Sequence, residues 1–276
     1  MNFGMILFSG LSPLSWWLLV LLIAFVVYSL ILKTGISQRL YFAAALITLF
    51  IIVGSSFESW GDWGLHTPSM VLHILAIIVL PIFLWQSAPA DFGFRFFTNS
   101  PVAIISAWIL AAVAMWSSHF ISASQIAAET GVTLCGITTS PDSWAMVIPS
   151  GLLTVVLIFA GVIFAQPVFH PNSKYRMHAM QAALYLFLSC TSCVVLGMWV
   201  TFTATGSSFA DPGVEVHIFG YSWLVSHLAD QQLAGLMMWV PACLIHTVAI
   251  LDRLYDYFSG ADQVAVQSIK VAPHAI

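Results

Sequence analysis

The sequence predicts an all-α integral membrane protein, a seven-transmembrane-helix bundle with its N-terminus outside and its C-terminus cytoplasmic. Three observations carry that expectation. Only 7% of the 276 residues are charged and 60% are hydrophobic, whereas a soluble domain carries about 25% charged residues. Seven apolar runs approach the ~20 residues that a helix needs to cross hydrocarbon. All seven Lys and Arg residues fall on alternate connections between those runs.

The runs lie at about 14–32, 40–57, 68–85, 101–121, 144–168, 178–202 and 231–252. Pro68 and Pro101 stand at run starts, where a helix tolerates proline. Pro81, Pro149 and Pro241 lie inside runs and predict kinks or local unwinding. Lys33 and Arg39 separate runs 1 and 2, Arg95 separates 3 and 4, Lys174 and Arg176 separate 5 and 6, and Arg253 and Lys270 follow run 7. The positive-inside rule makes that side cytoplasmic. The other connections, 58–67, 122–143 and 203–230, are acidic and aromatic. The last two exceed ~12–15 residues, a length at which loops tend to be functional or disordered. One membrane domain is expected over 1–260, with a polar, disordered cytoplasmic tail over 261–276.

Composition also excludes classes of function. A net charge of -4 without a basic patch argues against nucleic acid as a partner. The first residues, MNFGMILFSGLSPLS, lack a positive n-region, so the first run is expected to remain as a span. Cys135, Cys190, Cys193 and Cys243 do not form a disulfide framework, because three of them sit in apolar runs. There is no nucleophile–base set and no phosphate loop, so an enzyme is not expected.

Chemistry concentrates at the outer ends of runs 3 and 4. Ionisable groups are costly in hydrocarbon and mark sites by default. Met70 and His73 are spaced i,i+3, and Met115 and His119 i,i+4, so each pair shares a helical face. A 15-residue connection suggests that runs 3 and 4 are neighbours. Thioether with imidazole suits Cu(I). His66, Asp62, His227 and Asp230 are outer groups that could add a ligand or an entry path. The bland alternatives are that methionine fills core gaps and that helix-end histidines bond a carbonyl or snorkel. Asp230 reads first as the N-cap of run 7. Cys190 and Cys193 form CTSC in mid-run 6, with Cys243 at similar depth in run 7. That arrangement reads as a metal or redox pair, or as small residues at a helix contact. His246, deep in run 7, is expected to face the interior with a hydrogen-bond partner.

The segment DQQLAGLMMWVPA, Asp230–Ala242, resembles the signature of the multi-spanning CtaG family of cytochrome c oxidase assembly factors. MVLHILAIIVLPIFL, AMWSSHF, GVIFAQPVFHP and YLFLSCTSCVVLG resemble that family's other segments in order. The resemblance implies a bacterial-type plasma membrane protein that supplies copper to a haem–copper oxidase. It matches His73, His119 and Asp230 to family positions. Ser69 stands where the family has the first histidine of its first pair, and a second pair would fall near Ser150 and Thr154. Met70, Met115 and His66 are the substitutes at hand.

Three functions follow. The first is an assembly factor holding Cu(I) through His73 and His119, then Met70 and Met115, then His66 and His227. The second is a structural subunit or partner of a respiratory or copper-dependent complex with no metal of its own. The third, ranked last, is an enzyme with haem between His73 and His119. Rings within ~5 Å could share an ion, and rings beyond ~8 Å could not without movement.

Overall fold

The computed structural model describes residues 13–32, 35–57, 66–94, 100–128, 144–202, 214–218 and 221–259. Helices occupy each of the seven apolar runs. They are α1 (Pro13–Ile31), α2 (Ile36–Phe57), α3 (66–87), α4 (Pro101–Ala128), α5 (Trp144–Phe169), α6 (Ala179–Phe202) and α7 (His227–Phe258). Among the described residues, six contain a stretch long and apolar enough to cross a membrane, and Leu18–Ile31 in α1 is a shorter apolar helix. The chain is a multi-pass membrane protein. Its outward faces carry Leu, Val, Ile and Phe side chains, as hydrocarbon requires.

α3 is not a uniform helix. It is α-helical over His66–Ile74, opens into one π turn at Leu75–Val79, and resumes at Leu80–Ser87. The Leu80 N–H bonds back to Leu75, five residues earlier. Pro81 lies just beyond this turn and has no N–H to give, so the local unwinding expected of it falls immediately upstream. By contrast, α7 is helical through Pro241.

α3 is the centre of the bundle. Its first segment packs on α7, its π turn on α5 and α2, and its last segment on α2 and α5. Runs 3 and 4 do meet, through side chains, but neither is the other's most extensive partner. α4 packs mainly on α5, and to a lesser extent on α6. α6 and α7 form the most extensive helix pair. They cross where Gly197 and Gly235 leave no room for a side chain between the two backbones.

One end of the bundle is closed by side-chain donors on backbone carbonyls of the α3–α4 connection. Gln38 donates to Ala88 (3.2 Å), Asn172 to Ala90 (2.9 Å), Tyr175 to Asp91 (3.0 Å) and Gln166 to Phe94 (2.7 Å). His170 takes the Asn172 N–H on Nδ1 (3.0 Å), which leaves Nε2 to donate to Phe92 (2.6 Å). A side chain at Gly93 would strike Tyr175 and His170. Asp256, near the end of α7, lies 3.1 Å from Arg253 and 3.9 Å from Arg176. The α1–α2, α3–α4 and α5–α6 connections and the end of α7 thus gather at one end, termed here the basic end.

At the far end, residues 203–230 depart from the expected loop. Val214–Ile218 and Tyr221–Val225 pair as an antiparallel hairpin, with His217 opposite Ser222. The described part of this connection is a small two-stranded sheet, and α7 begins at His227, four residues before the predicted 231. Asp62, Glu129, Cys135, Asp142 and the 261–276 tail lie outside the described residues.

Candidate functional site

The far end brings together two histidines from different helices. His73 sits near the end of the first α3 segment, and the His119 ring lies with its centroid 5.5 Å away at an interplanar angle of 64°. Both are buried, at 8% and 4% exposure. Their long side chains bridge two helices whose backbones pack mainly on others. An ion about 2 Å from a ring nitrogen lies about 3.1 Å from the ring centroid, so two ligating rings stand at most ~6.2 Å apart. The observed 5.5 Å lies between the ~5 Å and ~8 Å limits set from the sequence, and as a separation of centroids it is inside this in-line maximum. The Nδ1 of His73 is buried with no hydrogen-bond partner among the described residues. An orphaned imidazole nitrogen is costly in so dry a place.

Met70 and Met115 lie one turn from His73 and His119 on the same helices, and both are buried. Among the described residues no group of three or more His, Cys, Asp or Glu is arranged to hold a metal. His66 and His227 are the first residues of α3 and α7; their side chains, like those of Ser69 and Ser150, lie outside the description. Cavities beside the π turn measure about 30 and 10 Å³, the scale of a single water. The larger is lined by Trp108, Met115, Trp116, Ser189, Ser192 and Cys193.

Asp230 is buried and does not serve as the N-cap of α7. Ser226 does, accepting the Ala229 N–H at 3.2 Å. The Asp230 carboxylate instead accepts the Thr67 N–H (3.1 Å) and hydroxyl (2.7 Å). It thereby caps α3 from α7. Gln231 donates to Val200 of α6 at 2.8 Å. The D-Q pair therefore fixes the starts of α7 and α3 and the end of α6 as one unit, with His73 two turns below.

His246 is accounted for within the bundle. Its Nδ1 donates to Ala242 (2.6 Å) and its Nε2 accepts the Ser189 hydroxyl (3.1 Å). Gln166 and His170 are both 0% exposed and central to the basic end; the sequence placed His170 only on the cytoplasmic side and left Gln166 unremarked. Two polar residues in the apolar GVIFAQPVFHP were the signal that could have found them.

These features define a multi-pass helical membrane protein with a buried imidazole pair at one end. A family model for the cytochrome c oxidase caa3 assembly factor (Caa3_CtaG) matches residues 25–256. The chain belongs to this family of cytochrome c oxidase assembly factors. No curated protein matches the chain significantly, and no solved structure does.

Proposed function

We propose that this protein holds Cu(I) at the far end of its bundle and hands it to a haem–copper cytochrome c oxidase during assembly, turning over no substrate. The bundle has seven spans in a bacterial-type plasma membrane, with the N-terminus and the far end outside and the basic end in the cytoplasm. His73 and His119 are the primary ligands, and Met70 and Met115 supply soft thioethers. His66 and His227, the first residues of α3 and α7, are the remaining candidate donors. The carrying observation is the 5.5 Å meeting of two buried rings, one with an orphaned nitrogen. The gathering of the connections that hold the basic residues supports the orientation through the positive-inside rule.

The test is Cu(I) stoichiometry on purified protein against a competing chelator. The wild type is expected to bind about one Cu(I). The joint His73→Ala and His119→Ala variant is expected to bind almost none, and unchanged copper in it would sink the assignment.

A second reading is a structural partner of the oxidase or of another membrane complex, without a metal of its own. Ser69, and Ser150 and Thr154, standing where the family resemblance places histidines, favour it. Purification in mild detergent separates the two. A stoichiometric copper-free complex supports the second reading, and a copper-bearing monomer the first.

A further inference from the structure

Away from the histidine pair, α6 and α7 bring two thiols together. Cys190 Sγ and Cys243 Sγ stand 2.7 Å apart. Non-bonded heavy atoms ordinarily keep about 3.5–4.0 Å. A disulfide needs about 2.05 Å between sulfurs, so closing the bond requires a movement of about 0.6–0.7 Å. The approach is built into the helix pair. Gly197, seven residues beyond Cys190, and Gly235, eight before Cys243, form the close crossing described above. Cys193 lies one turn from Cys190, is buried, and is the nearest competing thiol on α6.

Access follows from position. Cys190 is near the middle of α6, roughly 17 Å along the helix from either end. Hydrocarbon keeps water-soluble oxidants from that depth. Cys190 and Cys243 are only partly buried, and their neighbours Phe187, Thr191 and Leu244 are exposed on the bundle surface. A lipid-soluble reagent can therefore reach the pair from the side.

We propose that Cys190 and Cys243 are a redox pair that closes a disulfide between α6 and α7, oxidised by a two-electron acceptor of the quinone class. The two S–H bonds break and one S–S bond forms. Two electrons and two protons pass to the quinone, which becomes the quinol. A dithiol reductant reverses the step. The pair would fix α6 on α7, whose first turn carries Asp230, and it stands independently of copper binding.

The test uses the full chain in lipid vesicles, treated with a short-chain quinone or with a dithiol reductant. The vesicles are then denatured in excess maleimide and digested for mass spectrometry. After quinone, two of the four cysteines should resist alkylation. The peptides bearing Cys190 and Cys243 should be linked and lighter by two hydrogens, and after reductant all four should react. Cys193→Ala should leave the link intact, whereas Cys243→Ala should abolish it. Four reactive cysteines after quinone in the wild type would overturn the proposal, as would a link running through Cys193. Both readouts come from the wild-type chain and do not depend on a variant's folding.

Discussion

Asp230 shows how one side chain can serve a helix that is not its own. Its carboxylate takes the Thr67 N–H and hydroxyl, 163 positions away in sequence. The negative charge lies against the positive end of the α3 dipole as well as that of α7. Removing it strands the partly buried Thr67 donors, at up to the ~1–3 kcal/mol that a fully buried unsatisfied group costs. Asp230→Ala is expected to lower the thermal midpoint in detergent, and Asp230→Asn to lower it less, because the amide oxygen still accepts. Equal midpoints for all three proteins would show that the tie contributes nothing. The sequence made Asp230 legible as a cap but named the wrong helix. Local capping preference points to the helix that follows in the chain, and nothing in DQQ reveals Thr67. His73 and His119 were legible because an imidazole in an apolar run is conspicuous. Their meeting was inferred from adjacent helices, whereas it arises from side-chain reach between helices that are not principal neighbours.

At the scale of the element, the π turn of α3 sets which way its first segment faces. A π turn carries one extra residue, and one residue rotates a helix by about 100°. The segment bearing Met70 and His73 can therefore address α7 and α4 while Leu80–Ser87 addresses α2 and α5. Pro81 made a break legible, but not its form or its partner. That partner is Gly161 of α5, where an added Cβ would collide with the Ile77 carbonyl and come within 2.8 Å of the Pro81 ring. Backbone cannot move aside as a flexible side chain can, and overpacking of this kind typically costs 1–3 kcal/mol. Gly161→Ala is therefore expected to lower the thermal midpoint measurably. It should also weaken Cu(I) binding by displacing the helix that supports the turn. Gly35→Ala, with open space around the added carbon, is the matched control and should melt like the wild type. A Gly161→Ala protein indistinguishable from that control would mean that the α3–α5 contact tolerates displacement.

For the whole molecule, the two ends are built by different chemistry. The basic end is held by hydrogen bonds from Gln38, Gln166, His170, Asn172 and Tyr175 to the carbonyls of one connection, and by Asp256 between Arg176 and Arg253. The far end carries the histidine pair, the Asp230 tie and the hairpin. Apolar length made the helices legible, because a span must bury its backbone bonds internally whatever its neighbours are, although α4 runs on to Ala128 and α7 to Phe258, beyond the predicted 121 and 252. The hairpin was legible but passed unread: VEVHI and YSWLV are runs rich in β-branched and aromatic residues, separated by two residues that include Gly220. Orientation rests on the Lys/Arg partition, and the burial of Arg253 at 8% exposure does not weaken it, because a buried paired arginine still counts in the rule. Two exposed positions report it directly. Ser173 lies at the basic end, and Leu224, 74% exposed, lies on the hairpin. With the four native cysteines replaced, a Leu224→Cys protein in intact cells should react with a membrane-impermeant maleimide. A Ser173→Cys protein should react only after lysis, and neither change alters the basic count. The opposite pattern would turn the bundle over and put His73 and His119 on the cytoplasmic face. Copper delivery from the outer side would then fail, even if the two histidines still bound the ion.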